Sequence, residues 1–177
     1  MKKQIIIAIA VFTIFLHMES CDKLFSEDKL TLQRVDYYGN ELRIDGYFYN
    51  TVQNYEEEFL NIHFLYSNGI VRYGGGGFSS FEDVEDAIIN SRIVDGRSRT
   101  DWGVFQVSSN VIKFERWYPP SGGGAPAYVR EGTIINDKSF HITLSYRSNG
   151  TERREKDEVY HFRQFSPKPD STNVFIK

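Results

Sequence analysis

Two arginines carry the clearest chemical signal in this chain. In the run Val111 to Tyr118, alternation places Ile112, Phe114, Arg116 and Tyr118 on one face. In the next run, Tyr128, Arg130 and Ile134 share a face. If those faces point inward, two guanidinium groups enter an aromatic interior. A buried guanidinium is costly unless it is paired. A carboxylate pairs with it through two parallel hydrogen bonds. Arg116, Arg130, Phe114, Tyr118 and Tyr128 are therefore the candidate ligand-binding residues, suited to the anionic end of a fatty-acid-like or other amphipathic molecule. Two alternatives stand beside this. The arginines sit near strand ends and snorkel to water, or they pair with Glu115, Glu131 or another internal acid. Trp117 and Val129 on the opposite faces leave the phase open.

Other chemistry is sparse. His63, His141 and His161 are not spaced i, i+2 or i, i+4 and are expected on solvent-facing or mixed strand faces. No metal site is expected. A nucleophile elbow, Gly-x-Ser-x-Gly, is absent. The run Gly74 to Gly77 is followed by Phe78-Ser79-Ser80 rather than by lysine, which excludes a phosphate loop. It reads as a flexible loop beside a barrel mouth. Glu56-Glu57-Glu58 reads as a solvated turn. Neither catalysis nor a cofactor is expected.

Cys21 is the only cysteine, so an intramolecular disulfide and a thiolate metal cluster are both excluded. Before it, Lys2 and Lys3 precede an uncharged apolar run from Ile5 to Leu16, the order of a secretory signal. A bilayer-spanning helix needs roughly twenty apolar residues, and this run is shorter. Met18-Glu19-Ser20-Cys21 resembles the lipobox of bacterial lipoproteins, with Met18 where leucine is usual and Glu19 atypical. The resemblance implies that residues 1–20 are removed and that Cys21 carries lipid such as palmitate. The protein is then held at a membrane, expected to be the outer membrane of the cell envelope. Each buried acyl methylene contributes about 0.8 kcal/mol to that anchoring. Without residues 1–20 the chain keeps 23 acidic and 19 basic side chains, net −4, which supplies no basic stripe for nucleic acid.

The elements that must position these residues are mostly strands. Aromatic residues make up 15% of the chain, a composition that favours pleated surfaces. Residues 21–29 read as a lipidated tether. Strand-like runs follow at Leu30–Tyr38, Glu41–Asn50, Phe59–Tyr66, Ile70–Tyr73, Trp102–Val107, Val111–Tyr118, Tyr128–Ile135, Phe140–Arg147 and Val159–Phe165. Turn residues such as Gly39-Asn40, Ser67-Asn68-Gly69 and Ser108-Ser109-Asn110 separate them. Gly46 suggests a bend. In Phe59–Tyr66 the apolar face is Leu60, Ile62, Phe64 and Tyr66, with His63 opposite. One helix is expected after Ser80, which can cap it, with Phe81, Val84 and Ile88 at helical spacing. Pro119–Pro126 reads as a long loop and residues 167–177 as a C-terminal tail.

Eight or nine strands with hairpin-length connections make an up-and-down antiparallel sheet, and closure removes its edges. The expected fold is all-β, a barrel of about eight strands over residues 30–166 with one short helix. The pattern resembles the lipocalin-like lipoproteins of Gram-negative bacteria. The resemblance rests on Ile44-Asp45-Gly46-Tyr47-Phe48, on the pair Trp102–Phe105 and Val111–Trp117, and on the closing strand Tyr160–Phe165. It implies a barrel with a helix near one mouth. The expected function is reversible burial of a small apolar or amphipathic ligand in an aromatic pocket, gated by the glycine loop and the helix. The alternative function is a filled barrel acting as a structural or protein-interaction module of the envelope.

Overall fold

The computed structural model describes residues 27–54, 57–93, 96–119 and 124–177. Cys21 and the expected signal segment lie outside the described residues. Eight strands form: β1 (Gly46–Asn54), β2 (Glu57–Leu65), β3 (Ile70–Phe78), β4 (Trp102–Ser108), β5 (Val111–Trp117), β6 (Ala127–Asn136), β7 (Ser139–Arg147) and β8 (Arg154–Gln164). Each pairs antiparallel with the next, and β8 returns to β1, so the sheet is a closed up-and-down barrel. Among the described residues one helix, α1 (Phe81–Ile89), and a short 3-10 turn, Arg99–Asp101, lie between β3 and β4.

The closing seam explains Gly46. It pairs with Gln164, and a Cβ there would stand 2.1 Å from the Arg163 carbonyl oxygen. Only a residue without a side chain lets β1 approach β8 this closely.

Three expectations are corrected. Gly74 to Gly77 are not a loop but the second half of β3. Their strand pairs with β2 through two register shifts, and Gly75 and Gly77 take positive φ values of 109° and 83°. A Cβ at Gly74 would meet the Phe64 ring at 2.6 Å, so the glycine makes room for that ring on the outer wall. The run Leu30–Tyr38 is not a strand. A closed barrel leaves no edge for a ninth strand. The amides of Thr31 and Leu32 donate instead to the Glu115 carboxylate at 2.8 and 2.6 Å. The helix, finally, stands outside the barrel wall rather than at a mouth.

Its position follows from β2, which is buried on both faces. Leu60, Ile62, Phe64 and Tyr66 point outward, where Ile62 and Phe64 pack with Tyr47 against Val84, Ala87 and Ile88 of α1. Ser80 caps the helix by accepting from the Asp83 amide at 3.1 Å. Val84 and Ile88 each contribute about 1.5–3 kcal/mol by leaving water.

The barrel has one sealed end. There the turns β2–β3, β4–β5 and β6–β7 gather, and the N-terminal segment crosses them. The Tyr37 amide donates to the Ser67 carbonyl at 2.7 Å and the Arg43 amide to the Asp137 carbonyl at 2.9 Å. Tyr37 and Leu42 thereby join the interior cluster of Phe48, Leu65, Phe105, Phe114, Phe140 and Tyr160.

Candidate functional site

The other end of the barrel is polar inside. Register sets the phase there: Arg116 lies opposite Gly103 and Tyr128, and Arg130 lies opposite Phe114. Phe114 belongs to the interior cluster, so both arginines point inward with it. Of the five residues picked from the sequence, Arg116, Arg130, Phe114 and Tyr118 come together inside. Tyr128 stands at the rim. Its ring meets Tyr118 edge-on at 5.5 Å, and its hydroxyl donates to Glu152 at 2.6 Å.

The two guanidinium groups are held differently. Arg130 forms an ion pair with Glu158, and it donates to the Tyr160 hydroxyl at 3.4 Å. Burial opposes the Arg130 charge, but Tyr118, Tyr160 and Glu158 more than offset this and raise its pKa. Glu158 also receives Lys156 at 3.2 Å. So an internal acid pairs Arg130, and it is Glu158 rather than Glu115 or Glu131. Glu115 holds the N-terminal segment and Glu131 holds Lys113 at 3.0 Å.

Arg116 is only 6% exposed, and among the described residues no carboxylate forms an ion pair with it. Its guanidinium carbon lies 3.9 Å from the Tyr118 ring centre and 4.3 Å from that of Tyr73. Nη1 donates to the carbonyls of Thr100 at 2.9 Å and Trp117 at 3.4 Å. Nε is buried without a partner. The strand above Arg72 explains how Tyr73 and Thr100 reach this side chain. Only Ile70, Val71 and Arg72 of β3 pair with β4. Beyond them the 3-10 turn fills the seam, contacting both β3 and β5.

His63 is a correction. It does not face solvent; it is 5% exposed inside the barrel, with ring centres of Tyr73, Phe114 and Tyr160 at 5.4–5.5 Å. Burial, helped by the charges of Arg116 and Arg130, holds its pKa well below the usual histidine range. The ring is therefore neutral, and its Nδ1 is buried without a partner. His141 pairs with Asp157 at 2.7 Å on the surface, and His161 packs beside Tyr49 on the outer wall. Among the described residues no cluster of His, Cys, Asp and Glu is arranged to hold a metal.

Beneath the polar layer the barrel is occupied by rings. Phe140 stacks on Tyr160 at 4.8 Å, Phe48 touches Phe140 at 5.0 Å, and Phe114 meets Tyr160 at 6.1 Å. The sequence reading missed His63, Tyr73 and Glu158 as neighbours of the arginines. Glu158 had a signal: it alternates in phase with Tyr160 and Phe162 once β8 is extended toward its start.

No protein-family model, curated protein or solved structure matches this chain significantly. The chemistry of the site is what its own geometry supplies: a buried, partly unsatisfied cation in an aromatic collar at the polar end of a closed barrel.

Proposed function

We propose that this protein is a lipid-anchored envelope protein whose barrel binds a small amphipathic molecule, with no catalytic step. The anchor is lipid on Cys21, and the anionic end of the ligand lies against Arg116 and Arg130. The single observation behind the ligand is the Arg116 guanidinium. It is buried with no ion pair to a carboxylate among the described residues, and an effective penalty of several kcal/mol attends such burial. The unpartnered Tyr118 hydroxyl and His63 Nδ1 share the same interior. Buried polar atoms are nearly always satisfied in folded proteins, by protein, water or ligand.

Native mass spectrometry of the chain from Asp22 onward, purified from its own host, tests the reading. A co-purifying small mass is expected, and it should be lost in an Arg116→Ala/Arg130→Ala variant that retains its circular dichroism spectrum. A clean apo mass that no added amphipathic anion shifts would sink it. The anchor is tested separately by metabolic labelling with palmitate, where Cys21→Ser should abolish incorporation.

A second reading has its own support. The ring stack through the middle of the barrel leaves the lower interior filled. Outside the wall lies a groove of about 440 Å³ floored by Leu30, Trp117, Phe175 and Ile176. A filled barrel that uses this groove to contact another protein is the interaction module expected as the alternative. Retention of one envelope protein by the wild type, lost on Phe175→Asp but kept in the double arginine variant, would favour it.

A further inference from the structure

The groove outside the wall of β4 and β5 is built from both ends of the chain. Its floor is apolar. Trp117 is buried there, and Leu30, Phe175 and Ile176 pack half-buried against it. The N-terminal segment forms one side. Asp28 accepts from the Ala127 amide at 3.1 Å at the polar end of the barrel, and Arg34 donates to the Asn68 carbonyl at 2.9 Å at the sealed end. The groove, of about 440 Å³, therefore follows the length of the wall.

The rim of the groove carries positive charge. The two acids that line it are both engaged, Glu27 with Arg99 and Asp28 with Arg147 at 2.7 Å. Glu115 lies beneath the segment, fully buried, and accepts from the amides of Thr31 and Leu32. Arg99 covers the rings of Trp117 and Phe175 at 5.2 and 5.8 Å. Lys29 and Arg34 are exposed at the rim, and among the described residues neither forms an ion pair. An apolar floor under two such cations complements a molecule with a long apolar tail and an anionic head.

Covalent reach brings such molecules close. Glu27 follows Cys21 by six residues, and an extended chain spans at most about 3.3–3.6 Å per residue, so lipid on Cys21 holds a bilayer within about 20 Å of this groove. A lysine or arginine beside an anionic leaflet gains about fivefold in affinity.

We propose that this groove is the membrane-docking face of the protein: its floor takes an acyl chain of an anionic phospholipid from the leaflet that holds the anchor, and Lys29 and Arg34 take the phosphate. The proposal rests on the lipid anchor of the reading above and adds an orientation to it. Because the groove follows the wall, docking lays the barrel on its side, with β8 facing away from the bilayer.

The test couples the mature chain through the thiol of Cys21, its only cysteine, to a maleimide lipid in phosphatidylcholine vesicles. The vesicles contain a minority of phosphatidylglycerol with a photoactivatable acyl chain, and mass spectrometry locates the label after illumination. Label is expected on residues 27–34 and 174–177 at a level at least fivefold above residues 154–164 on the opposite wall. Lys29→Glu/Arg34→Glu and Phe175→Asp, each with the circular dichroism spectrum of the wild type, are expected to lose that excess. Moving the photoactivatable chain to phosphatidylcholine, with no phosphatidylglycerol present, is expected to lower it several-fold. Label spread evenly over both walls, or unmoved by the charge reversal, overturns the proposal. So does absence of label from the groove, which leaves it to the protein contact of the second reading. Coupling supplies the anchor in every arm, so none of these outcomes bears on lipidation of Cys21. A failure of palmitate labelling would instead remove the natural anchor while leaving the groove's choice of lipid as measured.

Discussion

Replacing Glu158 by glutamine removes one charge from the barrel interior while keeping the side chain's shape. The Glu158 and Arg130 side chains are 19% and 17% exposed, so water screens the pair only partly. Without the carboxylate, Arg130 keeps a 3.4 Å bond to the Tyr160 hydroxyl and an Nε that already bonds to nothing. Breaking a buried pair by removing one partner costs about 3–5 kcal/mol, because the surviving ion is left uncompensated. The glutamine carbonyl still accepts one hydrogen bond, and Lys156, freed from Glu158, can swing to solvent; both soften the loss. The expected destabilisation is therefore about 3 kcal/mol, a large share of the roughly 5–15 kcal/mol that holds a domain together. Urea unfolding followed through Trp102 and Trp117 fluorescence measures it. The comparison variant is Glu131→Gln, which breaks the more exposed Lys113 pair and should cost no more than about 1 kcal/mol. Equal losses in the two variants, or a loss below about 1 kcal/mol at Glu158, would refute the claim that Arg130 depends on an internal countercharge.

Three further outcomes are expected. Gly46→Ala should destabilise by at least about 2 kcal/mol, because its Cβ would stand 2.1 Å from the Arg163 carbonyl oxygen; hydrogen exchange should show β1 and β8 losing protection first, and unchanged exchange there would contradict the seam's role. Asp28→Asn should cost about 1–2 kcal/mol near neutral pH, since Asp28 binds Arg147 through both oxygens and accepts from the Ala127 amide. Arg147 holds the Asp28 carboxyl below its ordinary value of 3.8, so this contribution is present above that pH and vanishes as pH falls through the lowered value; a variant-to-wild-type gap that persists in strong acid would refute it. Burial lowers Lys168 to about 8 from its ordinary 10.5, so over that window the unfolded chain holds a proton that the folded chain has released. Stability relative to Lys168→Met should therefore rise as pH is raised from about 8 to 10.5, and a flat difference in chemical denaturation would overturn the assignment.

Strand alternation was sufficient to place the barrel, because most strands bury one face and expose the other. Val111–Trp117 and Ser139–Arg147 fall close to where their patterns end. The arginine constellation was legible for the same reason: Arg116 and Arg130 ride on the faces that carry Phe114 and Ile134. The misreadings came where that rule fails. β2 is buried on both faces, so its more apolar side looked like the barrel interior when it is the floor under α1, and His63 was assigned outward with it. The glycine run carries no side chains to alternate and gave no strand signal, although β2 supplies its hydrogen bonds. Leu30–Tyr38 has strand composition, but pairing depends on a free edge, which is a property of the whole sheet. The countercharge at Glu158 comes from a strand distant in sequence, joined to Arg130 only by closure.

The strap formed by residues 27–43 has partners far along the chain. Thr31 reaches Glu115 across 84 residues, and Asp28 reaches Arg147 across 119. Closing loops of that span is unfavourable until β5, β6 and β7 already stand beside one another. The N-terminal segment is therefore the last piece to fold although it is the first to be synthesised, and folding cannot proceed in chain order. The same accounting runs in reverse. The strap carries few strand hydrogen bonds of its own, so it forms a separate unit that detaches before the barrel opens. Its release uncovers the sealed end at Tyr37 and Leu42 while leaving the polar end intact, giving the molecule a partly unfolded form whose lower interior meets water and whose arginine-bearing end does not.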